Sequence, residues 1–197
     1  MKRLFDILIS LIALILLLPA FIIAAVWIKI DSPGPVFFIQ PRVGYRNKDF
    51  KLIKFRSMTH QQWAKDQLFT AGENDPRITK SGHFLRRYKI DELPQLINVL
   101  IGDMSLVGPR PLVRRQVEIY YEQYLPILEV RPGITSEASL LYRNEDQLLD
   151  RAQDPNRLFI EEMLPKKIEL NLQYVQNHSF RGDMSLLWRT LKSFCGK

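Results

Sequence analysis

The chain has 197 residues, and with 28 Lys and Arg against 21 Asp and Glu its formal net charge is +7. An apolar share of 46% with 25% charged residues leaves ample core-forming material and excludes a disordered chain. Its length fits one domain with a short appendage, and the single cysteine, Cys195, excludes an internal disulfide or a cysteine-pair zinc site and favours a cytosol-facing setting.

Apolar residues crowd into the N-terminus. Ile7 to Ile28 carry no charge, and only Ser10 and Pro19 interrupt the apolar run. A straight helix over it is about 33 Å long, enough for a bilayer core of about 30 Å. A secretory signal is a poor match, because the run is too long and Ile28-Lys29-Ile30-Asp31 follows it in place of a small-residue cleavage site. Pro19 divides the run into arms of about 18 and 14 Å, neither of which crosses alone. A helix bent there returns to the side it entered, with Lys2, Arg3 and Lys29 on the cytoplasmic face. Proline is also tolerated in spanning helices, so residue chemistry leaves both topologies open.

Asp31-Ser32-Pro33-Gly34-Pro35 ends this segment with a dense cluster of helix breakers. Val36–Ile39 and Phe50–Phe55 read as two strands, with Arg46-Asn47-Lys48-Asp49 as the turn of a hairpin. Ser81–Tyr88, Leu93–Leu100, Leu112–Leu128, Asn156–Asn177 and Asp183–Phe194 are predicted helices, separated by Gly, Pro and Asp signals. In the last helix Met184, Leu187, Trp188, Leu191 and Phe194 or Cys195 recur at three- and four-residue spacing, flanked by Arg189 and Lys192. That pattern suits packing on the core, or a helix lying on an anionic membrane surface. The expected architecture is mainly α with a small β-hairpin (α+β): residues 1–30 in the membrane and one small catalytic domain over residues 31–197.

Asp91-Glu92-Leu93-Pro94-Gln95 carries the strongest chemical signal. Proline suits the first position of a helix, which places Asp91 and Glu92 at or before a helix N-terminus, where anions are stabilised. Asp91 as a simple N-cap is the bland alternative. Two adjacent carboxylates among cations also suit a divalent cation on a phosphate substrate, or attack of one carboxylate on phosphorus. Arg86 precedes the pair, Lys54 and Arg56 end a strand, and Arg110 and Arg131 sit on the proline-locked turns Gly108–Pro111 and Arg131–Thr135. Arginine on a rigid turn suits bidentate phosphate binding. There is no Walker or dinucleotide loop and no G-x-S-x-G elbow, and His60, His83 and His178 lack metal-ligand spacing. The positive charge without a basic recognition helix argues against nucleic acid.

Five blocks in order then resemble the monotopic phosphoglycosyl transferases, also called the bacterial sugar transferase family. They are Lys54–Met58, Asp75–Thr79, Ile90–Leu100, Gly102–Pro111 and Arg131–Thr135. The resemblance implies transfer of a sugar-1-phosphate from a UDP-sugar to polyprenyl phosphate, usually undecaprenyl phosphate, with release of UMP. It implies that Asp91 carries a covalent phospho-sugar, that Mg2+ sits at Asp91 and the diphosphate, and that Glu92 transfers a proton or orients the site. Lys54, Arg56, Arg86, Arg110 and Arg131 are the expected substrate-binding residues. It further implies a re-entrant helix broken at Pro19, contact with membrane lipid, and a place on the cytoplasmic face of the bacterial inner membrane. Two departures stand out: Leu18 rather than serine precedes Pro19, and Ser136-Glu137-Ala138-Ser139 replaces a glycine and an apolar pair.

Two other readings remain at this stage. A sugar-only glycosyl transferase would release UDP, and a membrane-attached non-catalytic scaffold would turn nothing over. A dimer is compatible with the chain, although no heptad marks an interface.

Overall fold

The protein is described from a computed structural model covering residues 1–59 and 75–195; His60 and the side chains of Phe194 and Cys195 fall outside that description. Helix α1 (Lys2–Asp31) contains Pro19 and is not interrupted by it. Its buried residues Asp6, Ser10, Ala24 and Ile28 fall on the same stripe as Ala13, Leu14, Leu17 and Phe21, which pack against the domain. The three- and four-residue spacing places these on one helix face. The opposite face exposes Leu4, Leu8, Ile12, Ile15, Leu16, Ile22, Ile23 and Ile30. It is the one helix among the described residues long and apolar enough to cross a membrane.

Both ends of α1 are fixed to the same domain. At the N-terminal end Arg3 donates to the carbonyls of Val99 and Leu100 at 2.5 and 2.9 Å, Lys2 pairs with Asp183, and Asp6 accepts from the Ser105 hydroxyl at 2.8 Å. At the other end Asp31 accepts from the Ser81 amide and hydroxyl at 2.8 Å each, and the Trp27 ring lies 5.3 Å from Phe84.

Strands β1 (Phe37–Val43) and β2 (Asp49–Phe55) form the antiparallel hairpin, with Arg42 opposite Phe50 and Phe38 opposite Lys54. Arg46 and Asn47 in the turn have φ of 54° and 59°, the left-handed pair that hairpin twist favours. Helix α2 (Lys80–Arg87) is capped by Thr79, whose hydroxyl accepts from Gly82 N at 3.0 Å. A single 3-10 turn over Ile90–Glu92 leads into α3 (Gln95–Ile101). Strands β3 (Ser105–Val107) and β4 (Gly133–Thr135) pair in parallel, a contact that the short, isolated segments did not announce. Backbone crowding explains the glycines there: a Cβ on Gly133 would meet Gly108 N at 2.1 Å.

The predicted helix over Leu112–Leu128 is broken into α4 (Arg114–Ile119), α5 (Tyr121–Tyr124) and a 3-10 turn over Leu125–Glu129, where Pro126 starts the tighter turn. Helix α6 (Glu137–Leu141) opens with Ser136 as its cap, so the departure at Ser136–Ser139 is a helix start. Helices α7 (Glu145–Arg151) and α8 (Pro155–Arg157) follow. A π-turn over Leu158–Met163 then leads into α9 (Leu164–Asn177), and α10 (Phe180–Cys195) closes the chain. In α10 Leu186 is buried while Trp188 and Leu191 are exposed, and Arg189 forks onto Glu137 of α6.

Candidate active site

The hairpin, α2, the Ile90–Glu92 turn, β3–β4, α6, α7, α9 and α10 enclose a cavity of about 430 Å3. Eight cations line it against four carboxylates, so it is built for an anion. The cross-strand register places Gln40 and Arg42 of β1 on the same hairpin face as Lys54 of β2. Asn98 holds that face in place. It is wholly buried on α3, accepts from Ile53 N at 3.0 Å and donates to Lys51 O at 2.8 Å. It thereby satisfies β2 on the edge that no strand covers.

Asp91 and Glu92 are adjacent but experience different surroundings. Glu92 is gripped through both oxygens: Arg110 donates Nη1 to Oε2 at 3.0 Å and Nη2 to Oε1, and Lys54 Nζ donates to Oε1 at 2.8 Å. These cations overcome burial and hold the Glu92 carboxyl well below its ordinary value. Asp91 is buried, and its Oδ1 has no partner among the described residues. Burial pushes its pKa up, opposed by Lys54. Burial also lowers the Lys54 ammonium, and Glu92 opposes it.

The helix N-terminus supplies less than its sequence implied. Leu93 N, Leu96 N and Ile97 N already donate to Ile90 O, Leu93 O and Pro94 O, and Asp91 makes no cap hydrogen bond. The positive field at the dyad comes from the side chains of Lys54, Arg110, Lys89 and Arg86.

The sequence-predicted cations separate into two groups. Lys54, Arg86 and Arg110 line the cavity, with Arg86 also paired to Asp146 at 2.8 Å. Arg56 does not reach it. Its guanidinium collects the carbonyls of Ile28 at 3.4 Å, Ser32 at 2.7 Å and Pro33, at the C-terminal end of α1. Gly34, with φ of 126°, leaves room for it: a Cβ there would meet Arg56 Nη1 at 2.0 Å. Arg56 thus caps α1, a favourable place for a cation. Arg131 is exposed, donates Nε to Gly102 O at 2.9 Å and lies 5.5 Å from the Tyr45 ring, outside the cavity. A rigid proline turn predicted that Arg131 is preorganised, but not the side to which it points.

Sequence reasoning missed Arg42, Lys89, Glu145 and Lys167, all of which line the cavity. Arg42 was findable in part, because alternation along β1 puts it on the Lys54 face once the register is fixed. Lys89 sits at φ 55° immediately before the dyad turn and makes no side-chain hydrogen bond or ion pair among the described residues. Such left-handed residues cluster at functional sites.

No three His, Cys, Asp or Glu side chains converge on a metal among the described residues. The partnerless Asp91 Oδ1 nevertheless fits Mg2+, which takes one or two carboxylates and completes its shell with water and substrate phosphate.

The bacterial sugar transferase family model matches residues 1–197. A UDP-glucose:undecaprenyl-phosphate glucose-1-phosphate transferase of Escherichia coli strain K12 is 39% identical over 203 residues, 100% of this chain and 41% of that protein. A UDP-N-acetylgalactosamine-undecaprenyl-phosphate N-acetylgalactosaminephosphotransferase of Aeromonas hydrophila is 40% identical over 197 residues, 98% of this chain and 43% of that protein. An uncharacterized sugar transferase of Bacillus subtilis strain 168, EpsL, is 41% identical over 194 residues, 98% of this chain and 86% of that protein. The chain therefore spans less than half the length of the first two relatives.

Proposed function

This chain belongs to the bacterial sugar transferase family, and on that premise we propose that it moves a sugar-1-phosphate from a UDP-sugar to a polyprenyl phosphate, of which undecaprenyl phosphate is the expected form, and releases UMP. The observation that carries this reading is the asymmetry of the dyad. Glu92 has both oxygens occupied, whereas Asp91 presents a buried oxygen without a partner inside a cationic cavity.

In the first half-reaction the Asp91 carboxylate attacks the β-phosphorus. An O–P bond forms, the bond from that phosphorus to the bridging oxygen breaks, and its electron pair leaves on UMP. An oxygen of the polyprenyl phosphate then attacks the same phosphorus, and the Asp91 carboxylate is released. Glu92, ionised and held by Arg110 and Lys54, fixes those cations beside the reacting phosphates; its occupied oxygens favour orientation over proton transfer. Arg86 and Lys89 add charge on the Asp91 side. Bound at Asp91 and the diphosphate, Mg2+ would supply neutralisation of phosphate charge.

A place at the cytoplasmic face of the bacterial inner membrane accompanies this reaction. The exposed apolar face of α1 and Trp188 and Leu191 of α10 support contact with lipid. Because α1 runs without interruption through Pro19 and packs on one small domain from end to end, an in-plane course is favoured over a spanning one.

Detergent-purified protein with Mg2+, undecaprenyl phosphate and a panel of UDP-sugars tests the reading through the nucleotide released. UMP with one donor supports it and names the sugar. UDP as product would replace it with sugar-only transfer, and no release with any donor would favour a non-catalytic scaffold.

A further inference from the structure

We propose that Arg42 receives the phosphate of the departing nucleotide, at a position distinct from the one where Asp91 attacks; this rests on the transfer reaction proposed above. Arg42 is a partly buried cavity cation that forms no ion pair with any carboxylate among the described residues. Its Nη2 donates to Gln40 Oε1 at 2.7 Å and its Nη1 to Pro111 O at 3.4 Å, both neutral acceptors, and its buried Nε has no partner among the described residues. The nearby carboxylates are committed elsewhere: Glu92 to Arg110 and Lys54, and Glu145 to Lys167 at 2.6 Å. Burial and the adjacent Arg110 lower the guanidinium pKa to about 10, which an arriving anion would reverse. A partly buried cation without a direct counter-charge gains from a ligand that supplies one.

Its position separates it from the attack point. Arg42 lies opposite Phe50 and Lys54 opposite Phe38, four residues apart along β1, so Arg42 reaches toward Pro111 O while Lys54 reaches Glu92, the neighbour of Asp91. The attacked phosphorus belongs beside Asp91, so the second phosphate, which takes the electron pair of the breaking bond, is the one Arg42 can meet.

Two phosphate monoesters could claim this place, UMP and the polyprenyl phosphate. The cavity's walls favour the nucleotide. Around Arg42 they belong to the cluster of Leu112, Tyr124, Leu149 and Phe159, which α1 and α10 do not join. The wall of Leu96, Leu106, Ile134 and Leu187 belongs to the cluster shared with α1 and α10, the apolar elements from which a lipid tail would enter. A soluble leaving group therefore suits the Arg42 end.

The test is the dissociation constant of UMP from full-length protein in detergent, for wild type and the Arg42→Gln, Arg42→Lys and Arg131→Ala variants, with melting curves to confirm folding. Arg42→Gln is expected to weaken UMP by about tenfold to a hundredfold, the loss of a charge-assisted contact. Arg42→Lys retains the charge and should keep most of the affinity, and Arg131→Ala should change it by less than about threefold because that side chain lies outside the cavity. Unchanged UMP affinity in folded Arg42→Gln overturns the proposal. So does an equal loss in Arg131→Ala, or a loss confined to farnesyl phosphate used as a short acceptor, which would assign Arg42 to the acceptor. If Arg42→Gln fails to fold, Arg42→Lys decides: near-wild-type affinity supports a charge contact, and complete loss refutes a role met by charge alone. Failure of the wider reading has a different signature, in which wild type releases UDP and not UMP.

Discussion

Replacing Asn98 with alanine should loosen the site without touching any group that meets substrate. The Asn98 amide bonds Ile53 N at 3.0 Å and Lys51 O at 2.8 Å, and both belong to the open edge of β2. Truncation leaves one backbone donor and one acceptor without a partner, at about 1–3 kcal/mol each. Lys51 is exposed, so water partly rehydrates its carbonyl, and the lower half of that range applies. A loss of about 2–4 kcal/mol is expected, which for a chain of this size lowers Tm by roughly 4–16 °C. Freed of this tie, β2 no longer fixes Lys54 against Glu92, and turnover should fall even at temperatures where the variant is folded. Differential scanning fluorimetry and a nucleotide-release assay at 20 °C measure both effects. A Tm within about 1 °C of wild type, or normal turnover, would refute the argument that Asn98 acts as the missing neighbour strand.

Further outcomes follow from the same contacts. Arg110→Met should lower kcat/KM for the UDP-sugar about tenfold or more, because Glu92 loses its bidentate partner and the phosphates lose a fixed cation. Arg131→Ala should leave donor kinetics within about twofold of wild type, since its side chain lies outside the cavity. Arg56→Ala should lower Tm and loosen α1 while leaving the donor KM of folded protein unchanged, as limited proteolysis and donor titration would show. The folded-state pKa of Glu92 lies below its ordinary value of 4.5, so its stabilising contribution is present above that pH and lost as pH falls through the folded pKa. Glu92→Gln should therefore flatten the acid limb of a stability–pH profile, and an unchanged limb would contradict the pairing. Cysteines placed beside Lys2 and Lys29 should label from one side of the membrane; labelling from opposite sides would establish a spanning helix.

Patterns that repeat along one element were readable from the sequence. The uncharged run gave α1, the alternation gave the hairpin, and Pro94 with its preceding acids located the dyad turn. What depends on distant elements meeting was not readable. Arg56 and Arg131 look equivalent to Arg110 on paper, yet one caps α1 and another lies on Gly102, because backbone direction at a turn decides where a guanidinium goes. Parallel pairing of β3 with β4 joins segments almost thirty residues apart, each too short to carry a pattern of its own. The far wall of the cavity, with Glu145 and Lys167, is brought in by α7 and α9 and has no local motif. The division of labour within the dyad was equally hidden, since adjacent carboxylates differ only through Arg110 and Lys54, which come from other elements.

The central claim is that Asp91 forms a covalent bond to phosphorus. The most direct measurement is intact-protein mass spectrometry after mixing wild type with its UDP-sugar and Mg2+ in the absence of acceptor, with peptide mapping and parallel quantitation of nucleotide. The account predicts one phospho-sugar per chain, located on Asp91, with an equivalent burst of UMP, and neither in Asp91→Asn. Release of UDP, or turnover by Asp91→Asn at the wild-type rate, would contradict it.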